Sequence, residues 1–462
     1  MRPALAAATA LVACLTCPAL EANAADSPSR PNVVLILMDD LGYGDIPSYG
    51  ATDMKTPNLD RLAREGVRLT DAYANGPVCS PTRAALISGR YQQRSGIEWV
   101  LADLPEDRER GLPVTGTSLP ALLDRAGYVT GLVGKWHLGY KTEFAPNAQG
   151  FTEFFGFRGA ALDFYSHRRG SGTPDLYENT TPTTSARYLT DEFSQRAVDF
   201  IERHAARPFF LEVAYNAPHW PFEAPDLAPN DPRRQVPHPE LQDDRRIWQM
   251  PDDKSPATRA DYVRMVERAD AGIGNILAAL DRHGLAANTL VIFTSDNGGE
   301  WLSRNAPFFH RKNSLWEGGI RVPLILRWPA RLPAGKVSEQ PAITMDLNAS
   351  VLAASGATFP DGYRPDGIDL IPVLAGDATG TERQLFWRLA RPDRQQKAVR
   401  AGQWKLLIDS GQYFLFDLKA DPTERNDLSA QHPELVTKLK ALLANWEQDV
   451  DRSAASLASG KT

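Results

Sequence analysis

The stretch that decides the fold is Val33-Val34-Leu35-Ile36-Leu37-Met38-Asp39-Asp40, a short apolar run that ends in two aspartates. A run of six apolar residues with no polar alternation is typical of a strand buried inside a sheet. Comparable runs occur further along the chain, at residues 128–133, 208–215, 289–295 and 322–326. Each of them also ends in polar residues, so the sequence predicts several buried strands with polar side chains at their ends.

Helical segments lie between these strands. The clearest covers residues 56–65, where Thr56 suits the N-cap, Pro57 the first helical position and Gly66 the terminator. Another spans about 261–283 and stops at Gly284. Strands that alternate with helices predict an α/β fold, with a large, mostly parallel mixed sheet sandwiched by helices.

The character of the sequence changes after about residue 376. Short runs at 385–389, 398–400, 404–408 and 413–417 are typical of an antiparallel sheet, and an amphipathic helix is predicted at about 433–448. We therefore predict a large main domain over residues 25–376 and a small C-terminal α+β subdomain over 377–462, with a frayed tail after Arg452.

The N-terminus has the pattern of a secretory signal peptide over residues 1–24. Arg2 precedes an apolar run at 4–20, and Ala22-Asn23-Ala24 is a small-residue cleavage site. A lipoprotein-type signal ending at Cys14 is the alternative. Export to the periplasm or the medium is the expectation, and no later stretch reaches the ~18 to 20 apolar residues of a membrane span.

The charge composition bears on which binding partners are plausible. The 462 residues carry 51 Lys and Arg against 57 Asp and Glu, a formal charge of -6, which is too mild and mixed for a nucleic-acid surface. The cysteines are Cys14, Cys17 and Cys79, and cleavage after Ala24 leaves only Cys79, so no intrachain disulfide can form. Nothing in the sequence indicates the oligomeric state.

Cation ligands and anion-binding groups follow four of the predicted strands: Asp39 and Asp40, then Lys135 and His137, then His219, then Asp296 and Asn297. Taken singly, each has an ordinary structural explanation, such as a turn or a packed histidine. Because ligands of α/β sheets bind beyond the carboxyl ends of the strands, their joint placement predicts a site on one rim.

The segment Cys79-Ser80-Pro81-Thr82-Arg83 adds an anion site. Ser80 as N-cap and Pro81 as the first helical residue would place Cys79 just before a helix N-terminus. Free amide donors and the helix dipole favour an anion there, and Arg83 can turn toward it. An inert thiol in a turn is the alternative.

These residues resemble the sulfatase family, whose Cys-x-Pro-x-Arg signature is present at Cys79 to Arg83. The resemblance covers most of the chain after Asn32 through the motifs Asp39-Asp40-Leu41-Gly42-Tyr43-Gly44, Gly134-Lys135-Trp136-His137-Leu138-Gly139, Ala217-Pro218-His219, Asp296-Asn297-Gly298 and Lys312 to Pro323.

The resemblance implies that Cys79 is oxidised to formylglycine by a maturation enzyme and that its hydrated aldehyde supplies the nucleophile. It further implies a Ca²⁺ ion, with Mg²⁺ possible, held by Asp39, Asp40, Asp296, Asn297 and an oxygen of the modified Cys79. The implied basic groups around the sulfate are Arg83, Lys135, His137, His219 and Lys312. His219 is the implied acid for the leaving alcohol, with Lys312 nearby, and His137 is the implied base.

The expected activity is hydrolysis of sulfate monoesters on an aryl alcohol or a glycan. Two alternatives stay open: a formylglycine-dependent phosphodiesterase or phosphonate monoester hydrolase, and an inactive binder of sulfated glycans. The filled catalytic positions argue against the binder.

Overall fold

The computed structural model describes residues 30–234, 257–391 and 394–458. The predicted signal peptide at 1–24, with Cys14 and Cys17, lies outside these residues. Among the described residues, no helix is both long enough and apolar enough to cross a membrane.

Strands and helices alternate through the first part of the chain. The strands are β1 (Asn32–Met38), β2 (Val67–Leu69), β3 (Ala72–Tyr73), β4 (Val129–Lys135), β5 (Glu153–Phe157), β6 (Tyr177–Glu178), β7 (Thr181–Pro182), β8 (Phe209–Ala214), β9 (Thr289–Ser295), β10 (Leu324–Arg327), β11 (Lys336–Ser338), β12 (Ala342–Ile343), β13 (Gln384–Ala390), β14 (Gln395–Ala401), β15 (Trp404–Asp409) and β16 (Gln412–Asp417). The α-helices are α1 (Pro57–Glu65), α2 (Cys79–Ser88), α3 (Pro105–Arg108), α4 (Leu119–Arg125), α5 (Leu189–His204), α6 (Arg259–Arg282), α7 (Glu317–Ile320), α8 (Met345–Ser355), α9 (Ile371–Ala375) and α10 (Pro433–Ala458).

The main sheet has the order β11-β2-β10-β9-β1-β8-β4-β5-β6-β7 in the described part of the chain. Its centre, from β9 to β5, is parallel, whereas β10, β6 and β7 add antiparallel pairs toward the edges. In the register of β1 with its neighbours, Met38 faces Ser295 and Leu37 faces Ala214, so the carboxyl ends of these strands lie at one edge. The prediction of a mostly parallel mixed sheet is confirmed.

Helices cover both faces of this sheet. Along β1, Val34, Ile36 and Met38 enter one core, which α1, α5 and α6 cover. The alternate residues Val33 and Leu35 enter a second core, with α2, α4, α8 and α9. Because both faces are buried, every residue of the strand after Asn32 is apolar, which explains the continuous apolar run.

Two predicted helix ends are wrong. The helix after Val78 begins at Cys79 itself, with Val78 as the N-cap, so neither Ser80 nor Pro81 has the predicted position. Ser80 Oγ instead accepts a hydrogen bond from the Leu101 amide at 3.1 Å. At the other end of the chain, α10 continues to Ala458, so the residues after Arg452 are helical through that position.

The C-terminal region has the predicted α+β composition. Strands β13 to β16 form an antiparallel sheet in chain order, and α10 packs on it. Its core is shared with the main part of the chain, since Tyr73 and Ile320 lie in one apolar cluster with Leu385 and Leu406. The domain boundary at 376 stays a prediction.

A buried ionic network joins the two parts. Lys405 on β15 is fully buried, and its ammonium lies 2.8 Å from both Glu317 and Glu424. Glu317, at the start of α7, also pairs with Arg321 at 2.7 Å. Removing one partner of such a pair leaves the other charge buried without a counter-ion, which is strongly destabilising.

We therefore expect Lys405→Met to lower the free energy of unfolding by about 3 to 5 kcal/mol, as measured by urea denaturation. Lys397→Met on the adjacent strand is the matched control, because its pair with Glu447 is partly exposed and contributes at most about 1 kcal/mol. Similar losses for the two variants would contradict the role of the buried network.

Candidate active site

The strand order brings the predicted polar residues to one edge of the sheet. Strands β9, β1, β8 and β4 are parallel neighbours, and the polar groups follow their carboxyl ends. Helix α2 places Cys79 and Arg83 beside them, and the loop before α7 brings Lys312. The side chains gathered there are all buried: Asp39, Asp40, Cys79, Arg83, Lys135, His137, His219, Asp296, Asn297 and Lys312.

Cys79 lies within this cluster, next to Asp39. Its Sγ is 3.5 Å from Asp39 Oδ1, and ligand atoms of Asp39, Asp40, Cys79 and His219 all lie within 4.8 Å of one another. Burial raises the pKa of the Cys79 thiol well above its usual range, although the Lys135 and Lys312 ammonium groups oppose the shift. The unmodified sulfur therefore stays a protonated, weak nucleophile.

Asp39 and Asp296 form ion pairs with two cationic side chains of the cluster, Lys135 and Arg83. Lys135 Nζ donates to Asp39 Oδ2 at 2.6 Å, and the Arg83 guanidinium donates to Asp296 Oδ2 at 2.9 and 3.0 Å. Burial and the Asp39 charge raise the pKa of Asp296, against the pull of Arg83 and Lys135. The carboxylates are thus crowded, and further positive charge would stabilise them.

Asp40 connects three other groups. Its backbone has a left-handed φ of 64°, which is rare for a residue other than glycine and common at functional sites. Its carboxylate accepts hydrogen bonds from Lys312 Nζ and Asn297 Nδ2, both at 2.7 Å. Burial alone would raise the pKa of Asp40, but Lys312 and His219 lower it to about 2, so this carboxylate is ionised.

The donor set fits a hard divalent cation. Asp39, Asp40 and Asp296 supply carboxylate oxygens, and Asn297 Oδ1 is buried without a hydrogen-bond partner. An unsatisfied buried carbonyl oxygen among carboxylates is the kind of ligand that Ca²⁺ and Mg²⁺ take. Gly298 allows this packing, since a Cβ there would lie 2.0 Å from the Gly318 carbonyl oxygen.

His137 is in the neutral form that a general base requires. Its Nε2 lies 3.2 Å from the Leu101 carbonyl, which can only accept, so Nε2 carries the hydrogen. Nδ1 is buried and has no partner, which leaves its lone pair free. Burial, with Lys135 and Arg83 nearby, holds the pKa of His137 well below its usual range, so the ring is neutral.

His219 faces Asp40 from the loop after β8. Its Nδ1 donates to the Trp220 carbonyl at 2.6 Å, and its Nε2 lies 3.5 Å from Asp40 Oδ2. Burial lowers the pKa of His219 to about 3 in spite of Asp40. Lys312 behaves oppositely, because burial disfavours its charge but Asp40, Glu300 and the other neighbouring acidic groups together raise the pKa of its ammonium well above the usual range.

A comparison with protein families identifies the arrangement. The sulfatase family model matches residues 31–357, the part of the chain that contains the whole cluster. The chain belongs to the sulfatase family. A second model, of the C-terminal region of N-sulphoglucosamine sulphohydrolase, matches residues 306–449 of this sulfatase.

Individual relatives agree. This sulfatase is 36% identical to N-acetylgalactosamine-6-sulfatase of Canis lupus familiaris over 87% of its own chain and 76% of the relative. It is 32% identical to arylsulfatase A of Bos taurus, over 89% and 82% of the two chains. A crystal structure named Ps i-CgsB superposes with a TM-score of 0.81 at 31% identity, covering 92% of this chain and 94% of that one. The protein is a sulfuric ester hydrolase, which confirms the predicted family, fold and enzyme class.

Some side chains near the sulfatase site were not predicted. Glu300, three residues after Asn297, is buried with its carboxylate toward Lys312, and Glu212 is a buried carboxyl on β8. The glutamate within the apolar run at 208–215 was a visible signal for Glu212, whereas nothing in the sequence marked Glu300. The segment at 158–175, by contrast, is predicted from its sequence to contribute to substrate recognition, and this stays a prediction. In it, Arg169 pairs with Asp103, and His167 contacts the Arg187 carbonyl.

Proposed function

We propose that this sulfatase hydrolyses sulfate monoesters with a formylglycine formed from Cys79. The observation that carries the proposal is the position of Cys79, buried in the first turn of α2 and 3.5 Å from Asp39 among carboxylates and cations. A protonated thiol is a weak nucleophile and cannot form the hydrate of an aldehyde, which supports a modified side chain at this position. Formylglycine supplies, as its hydrate, a geminal hydroxyl that attacks sulfur.

The cation belongs to the same proposal. Asp39, Asp40, Asp296 and Asn297 would hold it, together with an oxygen of the modified residue 79, and Ca²⁺ is the first candidate, with Mg²⁺ the second. Such an ion supplies positive charge that stabilises charge developing on the sulfate oxygens.

The chain's own side chains would perform the remaining steps. Arg83, Lys135 and Lys312 balance the negative charge of the carboxylates and the ester. His137 Nδ1 has a free lone pair and takes a proton as the base. His219, with Lys312 beside it, would deliver a proton to the leaving alcohol oxygen, once the negative charge of the bound ester has favoured protonation of its Nε2.

We further propose that the substrate is a sulfated glycan. One relative is named for a sulfated N-acetylgalactosamine, and Ps i-CgsB has also been solved with k-i-k-neocarrahexaose. Export by the predicted signal peptide, to the periplasm or the medium, would bring the enzyme to such polymers. Lipid anchoring through Cys14 is the alternative, and either route requires the maturation enzyme in the host.

Release of inorganic sulfate from a panel of defined sulfated sugars tests the proposal, with an aryl sulfate and an aryl phosphate diester in parallel. We expect kcat/KM to be highest for one class of sulfated sugar and far lower for the phosphate diester. A preference for the diester would support the phosphodiesterase alternative, and binding of sulfated sugars without turnover would support the inactive binder.

A further inference from the structure

Glu300 has a simple set of contacts. Its side chain is about 6% exposed, and its Oε2 lies 3.6 Å from Lys312 Nζ. Within the described residues, Lys312 is the one ion-pair partner of this carboxylate, and Oε2 forms no hydrogen bond. Burial raises the pKa of Glu300 to about 7, although the Lys312 and Arg311 charges oppose the shift. A buried carboxylate oxygen that forms no hydrogen bond lowers the stability of the folded protein.

Lys312 in turn lies between two carboxylates. Asp40 accepts its hydrogen bond at 2.7 Å, and Glu300 faces it from the other direction. Asp40 also contacts Asn297 and His219, so its charge serves several groups. Among the described residues, Glu300 forms an ion pair with Lys312 alone, so Lys312 is the group through which it would act.

The surroundings of Glu300 point the same way. The next residue, Trp301, packs edge to face against Phe222 with ring centroids 6.0 Å apart, and Phe222 lies in the same loop as His219. Glu300 therefore lies where the Lys312 segment meets the segment that carries His219.

We infer that Glu300 is a positioning residue that orients the Lys312 ammonium between Asp40 and the bound sulfate ester. This inference rests on the proposed function, since it assigns Glu300 to the machinery of sulfate ester hydrolysis. The Glu300 carboxyl lies 3.6 Å from an ammonium that is hydrogen-bonded to Asp40 at 2.7 Å, and it limits the orientations of Lys312, so that the cation meets the ester in one geometry. Glu300 acts through Lys312 and does not touch the substrate.

A double-mutant cycle of E300Q and K312M tests the inference. We measure kcat and KM on 4-nitrophenyl sulfate and the affinity for inorganic sulfate by calorimetry for the four proteins. E300Q is expected to lower kcat about tenfold or more with Lys312 present, and less than about twofold in the K312M background. Its effect on sulfate affinity should likewise disappear with K312M, a readout that needs no turnover.

Equal effects of E300Q in both backgrounds, or no effect in either, would overturn the inference. Glu223→Gln, another buried carboxyl that contacts the Phe164 amide, is the control and should combine additively with K312M. Melting temperatures of all variants are measured, and E300D replaces E300Q if the latter does not fold. If the wild-type protein hydrolyses no sulfate ester, the proposed function fails first, whereas an active wild type with additive variants refutes only the role of Glu300.

Discussion

Removal of the divalent cation is expected to lower sulfate ester hydrolysis by about 10³-fold or more, because the ion contributes several kcal/mol of charge stabilisation in such sites. The crowded carboxylates of Asp39, Asp40 and Asp296 and the unpartnered Asn297 Oδ1 are the structural reason. Activity is measured after chelation and after return of Ca²⁺, Mg²⁺ or a softer ion such as Zn²⁺. Ca²⁺ or Mg²⁺ should restore activity better than Zn²⁺.

Asn297→Ala should have the low activity of chelator-treated wild-type protein, without any exposure to a chelator. Its bound metal, measured by elemental analysis, should fall below one ion per chain. Asp53→Asn is the control, since this carboxylate pairs with Arg259 and Arg304 outside the cluster and should keep full metal content. Full activity in metal-free wild-type protein would exclude the assigned ligands.

His219→Ala is expected to separate substrates by leaving group. A nitrophenolate leaves with little help, whereas a sugar alkoxide must be protonated as the S–O bond breaks. General-acid catalysis typically contributes ~10² to 10⁴ in rate. The loss of kcat/KM in the variant should therefore be larger on a sugar sulfate than on 4-nitrophenyl sulfate, by a factor that approaches this range. The measurement uses one matched pair of substrates.

Lys312→Ala is the companion variant, since its ammonium already carries a proton while burial keeps His219 neutral in the free site. Equal losses on both substrates for His219→Ala, with a selective loss for Lys312→Ala, would move the acid role to Lys312. A histidine that only supports the loop before Trp220 also predicts equal losses on both substrates.

Much of the fold follows from local patterns in the sequence. The continuous apolar runs predict buried parallel strands because no position on β1 faces water, and Thr56, Pro57 and Gly66 mark the ends of α1 correctly. The gathering of the polar residues follows from parallel strands whose carboxyl ends share an edge. The roles of these residues came from the resemblance to sulfatases, and their geometry came only from the structure.

The errors have a common physical cause, since they depend on tertiary contacts. Ser80 has the composition of an N-cap, but the Leu101 amide occupies its hydroxyl and the helix starts one residue earlier. Lys405 has no sequence signal because its partners Glu317 and Glu424 are distant in the chain. Glu300 was missed for the same reason, since only the folded chain brings it to Lys312.

The most direct measurement is mass spectrometry of the peptide that contains residue 79, made on the same samples whose sulfatase activity is measured. The protein is produced with and without a formylglycine-generating enzyme, and Cys79→Ala serves as the inactive, folded control. The account predicts that the fraction of formylglycine at residue 79 rises in proportion to specific activity and that protein with only cysteine there is inactive. Fully active protein with unmodified cysteine at residue 79 would contradict it.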